Sequence, residues 1–451
     1  MSEVAVLGLG RSGRAAALLL ARAGQQVYAS DATSNDAVAA TVAALRTAGV
    51  DAVAGTHDLE RIARAARVVV SPGIPPEAPP LQAARRAGVP IVSEVEIALQ
   101  HARGLRYIAT TGTNGKTTVT ALIAHLLRAL GTDAVAAGNI GTPLAEVALA
   151  DPLPAWVALE LSSFQLHDTP SVDPVVGVLT NLAPDHLDRY ASLAEYYADK
   201  RLLFRAARPA SRWVTNADDA DSIALTAGIV GERAAFSLRT SAYAHLDQAT
   251  GMLVVDGAPV LARGEVPLLG DHNVANVLAA LAAVMLADPA HRTTEARGRL
   301  AEGVRRFGGI PHRLEVVGER AGVRYINDSK ATNVASARVA IAGMTQPTVV
   351  LLGGRHKGEP YTALLDGLRA HARAVVAFGE AEGAIVRDLA PLAGAVPVEG
   401  AGSSFETVMA RARALAHTGD AVLLAPACSS FDMFANYEAR GAAFRRLALE
   451  A

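Results

Sequence analysis

Cysteine is almost missing from this chain: Cys428 is the only one in 451 residues, so no internal disulfide can form. That excludes a disulfide-stapled secreted scaffold. Met1-Ser2-Glu3 runs straight into an apolar stretch without the basic start of a signal peptide, and the expected compartment is the reducing cytoplasm. Long apolar runs are missing too. The longest, Val277 to Ala287, is Ala-rich and far short of the roughly 18–20 residues a bilayer needs, so no transmembrane segment is expected. Nor is there an excess of charge of either sign. Lys plus Arg total 42 against 44 Asp plus Glu, a formal net charge of −2. This is too balanced for a duplex-binding face or a polybasic membrane patch, which argues against nucleic acid and membrane as partners. No short repeat and no low-complexity segment appears.

What is present is the composition of a folded α/β protein: 51% hydrophobic residues, 19% charged, and 39 Gly and 22 Pro spread throughout. At roughly 100–200 residues per domain, the length suggests about three domains. Val4 to Gly8, a helical pattern from Arg14 to Ala23 and the stretch Gln26 to Asp31 read as a βαβ start. Further strands are expected near 68–70 and 90–92, with the Pro-rich loop 72–80 as a turn inside the same doubly wound unit. Alternation restarts at Arg106 to Thr110, followed by a Gly-rich stretch and a helix from Val119, which puts a boundary near residue 103. Strands near 156–160 and 175–180 and helices over 274–286 and 294–306 complete a central domain. Phe307-Gly308-Gly309-Ile310-Pro311 cannot continue a helix and marks a hinge. Beyond it, strands at 323–327, 348–352, 374–378 and 421–425 predict another open parallel sheet. The expected domains are 1–103, 104–308 and 309–451.

Gly8-Leu9-Gly10-Arg11-Ser12-Gly13 after the first strand, with Asp31 closing the second, fits a dinucleotide fingerprint. A tight turn without ligand, or a nucleotide other than NAD, would use the same backbone. Thr110 to Thr118 resembles a phosphate-binding loop, although the usual spacing would require glycine at Thr110 and here it falls at Gly112. Gly112 and Gly115 let backbone N–H groups curl around phosphate, Lys116 balances the β/γ charge, and the Thr117 hydroxyl suits Mg²⁺. Glu160 ends an apolar strand where ligands of open sheets bind, a position suited to a magnesium ligand or to an ordinary loop charge. His186 stands between Asp185 and Asp188, and that clustering suits a metal or phosphate role. Lys200 lies in a helical stretch where a solvated face is the ordinary reading. In the third domain, Ile326 to Asn333, Leu351 to Lys357 and Ala425 to Phe431 put polar clusters at three strand ends, pointing to one site along one sheet edge. Cys428 reads as a small packed residue, since no nearby His would activate it.

Taken together, GTNGKTT at 112–118, GNIGTP at 138–143, LELSSFQL at 159–166, DHLDRY at 185–190, HN at 272–273, PHRLE at 311–315, NDSKATN at 327–333 and PACSSFD at 426–432 resemble the Mur ligases over essentially the whole chain. The motifs differ in specificity: GTNGKTT is shared with folylpolyglutamate synthase, whereas LELSSFQL, NDSKATN and PACSSFD point to the branch that adds D-glutamate. The resemblance implies a Rossmann-like N-terminal domain, a P-loop ATPase-like central domain and a Rossmann-like C-terminal domain. It implies ATP-dependent joining of D-glutamate to UDP-N-acetylmuramoyl-L-alanine in the cytoplasm, a step of peptidoglycan synthesis tied to cell shape and division, by a monomer with two Mg²⁺ ions.

The residue roles follow from the resemblance alone. Gly10, Ser12, Asp31, Ser71, Asn139, Ser162 and His186 would hold the UDP-sugar, which displaces the NAD reading. Gly112, Thr113, Asn114, Gly115, Lys116, Thr117 and Thr118, with Asn273, Asn276, Arg313 and Asp328, would hold ATP. Thr117, Glu160, His186 and a carbamylated Lys200 would ligate magnesium, overturning the solvated-face reading of that lysine. Thr332, Lys357, Ser430, Phe431 and Tyr437 would grip D-glutamate, and Lys116, His186, Lys200, Arg313 and Lys330 would serve the chemistry. An acyl phosphate would form from the substrate carboxylate, and closure about 307–311 is expected to exclude water from it. Alternatives that stay open are a sibling amino-acid ligase, a P-loop nucleotide switch and, more weakly, an NAD-dependent oxidoreductase.

Overall fold

A computed structural model describes residues 3–185 and 189–450. Apolar strand segments ending in glycine or polar loops, each followed by a helix, produce three α/β sheets. In the first, β1 (Val4–Leu7), β2 (Val27–Asp31), β3 (Asp51–Ala54), β4 (Arg67–Val70) and β5 (Ile91–Ser93) pair in the order β3-β2-β1-β4-β5, all parallel. The order reverses between β1 and β4, and ligands of open sheets bind at the carboxyl ends of the strands at such a reversal.

The second sheet comprises β6 (Tyr107–Thr111), β7 (Ala134–Gly138), β8 (Trp156–Glu160), β9 (Val176–Leu179), β10 (Arg212–Asn216), β11 (Glu232–Ser237), β12 (Ala244–Asp247), β13 (Met252–Val255) and β14 (Ala258–Ala262). Their order is β14-β13-β12-β11-β10-β9-β6-β8-β7. The strand that feeds the phosphate-binding loop, β6, is therefore flanked on both sides by parallel strands, β8 and β9. The helix after it spans Lys116–Ala129, three residues earlier than the apolar pattern from Val119 suggests. Gly115, at φ 80°, takes the left-handed N-cap position, so Lys116, Thr117 and Thr118 form the first turn.

These two sheets share one compact unit, residues through Val266 together with Val274–Phe307, and a continuous apolar core runs from Val4 and Val69 of the first sheet to Val157 and Trp213 of the second. Polar pairs add register between them: Ser93 Oγ lies 2.6 Å from Thr169 Oγ1, and Glu96 accepts from the Ser171 N–H and hydroxyl at 2.8 and 2.6 Å.

The other unit, Pro267–Asn273 with residues from Gly308 onward, holds β15 (Glu315–Arg320), β16 (Val323–Asn327), β17 (Thr348–Gly353), β18 (Ala372–Phe378), β19 (Val398–Gly400) and β20 (Ala421–Leu424), ordered β15-β16-β20-β17-β18-β19. The expected wholly parallel sheet is corrected here, because β15 runs antiparallel to β16. Ala321 and Gly322, at φ 52° and 71°, make a two-residue turn between Arg320 and Val323, and such a turn can join only antiparallel strands. The segment 267–273, which the sequence reading kept with the central domain, packs with this second unit. Among the described residues, no helix is long and apolar enough to cross a membrane.

Candidate active site

The carboxyl ends of β1 and β4 border a cavity of about 820 Å³. Gly10, Ser12, Asp31 and Ser71 all line it, as do the unforeseen His57 and Leu59. Gly13 explains why this turn admits no side chain: a Cβ there would collide with the Gly8 carbonyl. The Asp31 carboxylate holds the turn from the side, accepting from the Leu9 N–H at 2.7 Å and the Thr33 N–H at 2.8 Å. His57 Nδ1 lies 2.8 Å from Ser30 Oγ, and burial lowers its pKa. Asn139 and Ser162 lie elsewhere, at the carboxyl ends of β7 and β8. Asn139 Nδ2 donates to Glu160 Oε1 at 2.8 Å, and Ser162 caps the short helix Ser163–His167. The sequence reading of His186 falls outside the described residues.

The second glycine loop is pinned by the end of β9. The Thr113 N–H donates to the Asn181 carbonyl at 2.8 Å, the Asn114 N–H to Asn181 Oδ1 at 2.9 Å, and Thr180 Oγ1 donates to the Asn114 carbonyl at 2.6 Å. A Cβ on Gly112, at φ 143°, would collide with Thr180 Oγ1, and one on Gly115 with Asn276 Oδ1. Lys116 Nζ donates to the Thr113 carbonyl at 2.8 Å, so it curls over its own loop. Residues 115–118 stand at the start of a 14-residue helix, whose first N–H groups attract an anion.

Beside the loop lies Lys200, 1% exposed on the helix Leu193–Arg201. Its Nζ donates to the Gly112 carbonyl at 2.7 Å and lies 4.6 Å from the centre of the Tyr196 ring. Burial first, and the Lys116 cation second, pull the Lys200 pKa well below the usual lysine range. Its solvated-face reading is thereby excluded on geometry. Glu160, at the end of β8, is 1% exposed; Oε1 accepts from Asn139, while Oε2 is buried without a hydrogen-bond partner. An unmatched carboxylate oxygen beside a phosphate-binding loop fits a cation. Among the described residues no group of three His, Cys, Asp or Glu side chains gathers.

In the second unit the three polar clusters do converge, because β16, β20 and β17 are neighbours in the sheet. Lys330 Nζ sits 3.9 Å from the Tyr437 ring centre. Asp328 accepts from the Leu314 N–H at 3.3 Å, and burial raises its carboxyl to about 7, opposed by the nearby Arg313 charge. Ser430 is buried, Phe431 is 61% exposed, Lys357 is exposed, and Thr332 is half-buried. Asn273 Nδ2 donates to the Leu269 carbonyl at 2.7 Å. Ala427, at φ 58°, holds a left-handed conformation in the β20 loop, the kind of strain that collects at functional loops. Cys428 is buried, its Sγ 2.9 Å from the Tyr361 hydroxyl and its thiol pushed up to about 11, as suits a packed residue.

Two further residues went unforeseen. Arg440, fully buried, donates to the Ser329, Cys428, Ser429 and Gly353 carbonyls at 2.9–3.4 Å, stitching together the loops that carry all three clusters. Tyr196 bridges Thr113 and Lys200. Both sit in helical stretches where sequence pattern offers no sign of burial.

Family models agree with these sheets. Residues 2–93 match the Mur ligase MurD-like N-terminal domain, 110–284 the Mur ligase middle domain, and 312–428 the Mur ligase glutamate ligase domain. The chain is 41% identical to the UDP-N-acetylmuramoylalanine–D-glutamate ligase of Acidobacterium capsulatum, covering 99% of this chain and 96% of the relative. The equivalent proteins of Gloeobacter violaceus and Anaeromyxobacter dehalogenans are 39% and 40% identical, covering 99% and 100% of this chain and 99% and 98% of theirs. In fold it is similar to a pseudomurein peptide ligase type C from Methanothermus fervidus, with a TM-score of 0.57, 19% identity, and 94% of this chain and 96% of that one covered. Three matched domains and relatives of this identity over nearly their full length place the chain in the Mur ligase family.

Proposed function

We infer that this chain is the ATP-dependent ligase that joins D-glutamate to UDP-N-acetylmuramoyl-L-alanine, an amide-forming step of peptidoglycan synthesis. The observation that carries the reading is identity of about 40%, over nearly full length, to ligases of that name. In this reading residues 1–103 hold the sugar nucleotide, 104–308 ATP and 309–451 the amino acid, and a monomer acts in the cytoplasm.

The substrate carboxylate is a poor acylating agent, so it attacks the γ-phosphorus of ATP; the P–O bond to ADP breaks and an acyl phosphate forms. The D-glutamate amine then attacks the acyl carbon, loses a proton, and expels phosphate to leave the amide. Lys116 and the N–H groups at the start of its helix hold the phosphates, joined by Arg313, Asn273, Asn276 and Asp328 for the nucleotide. Gly10, Ser12, Asp31 and Ser71, with Asn139, Ser162 and His186, hold the UDP-sugar. Lys330 stabilises charge as the amine attacks, while Thr332, Lys357, Ser430, Phe431 and Tyr437 orient D-glutamate.

Thr117, Glu160, His186 and carbamylated Lys200 would hold two magnesium ions, which when bound offset the charge of the triphosphate. The unmatched Glu160 Oε2 supports that assignment. Burial favours the neutral form of the Lys200 amine, whose nitrogen would bond to CO₂ carbon and release a proton, turning a would-be cation into an oxygen ligand.

The experiment is a substrate panel: purified chain with ATP, magnesium, each UDP-muramoyl precursor and each amino acid, scored by phosphate release. Release confined to UDP-N-acetylmuramoyl-L-alanine with D-glutamate is expected. Release with another pair, or ATP turnover indifferent to both, overturns the reading.

A further inference from the structure

Ser71 and Ile74 wall two cavities in the first unit. One is the cavity at β1 and β4 described above. The other, about 200 Å³, opens between the end of β4 and the short helix Ser163–His167, and the ligase reading gives it no ligand.

Its walls are mainly apolar, including Val70, Leu81, Ile91 and Phe164, yet three carboxylates, Glu94, Asp168 and Asp199, also line it. Glu94 is 2% exposed. Its Oε1 accepts from the Ala145 N–H at 2.5 Å, whereas Oε2 is buried without a hydrogen-bond partner. Burial raises Glu94 to about 7 and the half-buried Asp168 to about 6. The basic groups lining the cavity are engaged by partners other than Glu94. Arg85 donates to the Pro76 carbonyl at 2.6 Å, Arg189 to the Ile74 carbonyl at 3.4 Å while lying over the Phe164 ring, and His167 pairs with Asp199 at 2.9 Å. A buried carboxylate oxygen left unmatched is costly until a donor or cation meets it, and none of these three basic groups reaches Glu94 Oε2.

We propose that this cavity is a second small-molecule site, taking a compact organic cation whose ammonium or amidinium meets Glu94 and whose apolar body packs between Leu81 and Phe164. Size supports a single-ring ligand, since a cavity of about 150 Å³ takes benzene. An anion would meet three carboxylates, and a neutral amide would offer Glu94 only an uncharged, weaker donor. The occupant is distinct from the sugar nucleotide, although both would touch the segment at Ser71.

The test uses the full chain with benzamidine, benzamide and benzoate as probes, followed by calorimetric titration and ligand-observed NMR with and without saturating UDP. Benzamidine is expected to give a single-site isotherm, bind at least about tenfold tighter than benzamide, and stay bound in the presence of UDP. Benzoate should not bind. Glu94→Gln, which keeps an acceptor for the Ala145 N–H, should weaken benzamidine about tenfold and leave UDP affinity unchanged. Should that variant melt early, Asp168→Asn supplies the second test, with an expected loss of a few fold. Equal affinity for benzamidine and benzamide, displacement by UDP, or indifference to both substitutions overturns the proposal. Failure of UDP itself to bind would strike the sugar-nucleotide reading, and the benzamidine titration would still decide this one.

Discussion

The two glycine loops of the first unit make an instructive pair. Each closes a parallel strand, β1 or β6, turns through a glycine at positive φ (Gly8 at 82°, Gly115 at 80°) and opens a helix. Backbone N–H donors for phosphate are thus available at both. The surroundings differ. The first loop borders a wide cavity, and its nearest carboxylate, Asp31, is engaged by the Leu9 and Thr33 N–H groups. The second has two lysines and an unmatched Glu160 oxygen packed beside it. Loop shape alone therefore serves to bind a nucleotide. Chemistry needs charged side chains brought in from elsewhere in the chain, here from 44 to 84 positions beyond Lys116.

The sharpest break in the comparison is Lys200→Ala. Turnover should fall on the order of 10²–10³-fold while ATP binding survives, as measured by steady-state assay and nucleotide titration. Formate or acetate should restore part of the rate in that variant by filling the vacated oxygen position. Lys200→Arg should not regain it, since guanidinium keeps its charge. Near-native turnover of Lys200→Arg would remove the carbamate. Next in size, Glu160→Gln discards the unmatched anionic oxygen, and a magnesium titration should show half-activation shifted upward about 10–100-fold; an unchanged titration would detach Glu160 from the metal.

Stability offers a gentler contrast. Gly115→Ala must accept positive φ and a collision with Asn276, so thermal unfolding should reveal a loss of about 1–3 kcal/mol. Gly10→Ala, with open space around it and negative φ, should stay within about 0.5 kcal/mol. In binding, a small effect is expected for Asp31→Asn. It keeps one acceptor for the loop, so UDP affinity should weaken only a few fold by calorimetry, with ATP affinity untouched.

Much of the fold was legible because strands that end in glycine and precede a helical pattern are local signals. β1 and β6 announce themselves in this way, β16 by the polar run Asn327 to Asn333, and their loops hold most of the motif residues. The short strands Asp51–Ala54, Ala134–Gly138 and Val398–Gly400 do not, since their few small residues suit several backbone states. The antiparallel β15 turned on two residues in left-handed conformation, one of them alanine, which composition alone does not single out. Arg440 illustrates a further limit: on a helix rich in charge it reads as solvated, yet four backbone carbonyls satisfy its guanidinium in the interior.

The sequence by itself determined most of the strand–loop–helix alternation, the two glycine turns and the family of the chain, because each is written in residues a few positions apart. Only the tertiary structure decided which of those residues lose water. The helix Leu193–Arg201 carries apolar and charged side chains around its whole circumference, so no face is marked for the interior. Packing against the Gly112 carbonyl and the Tyr196 ring is what buries Lys200 and lowers its pKa.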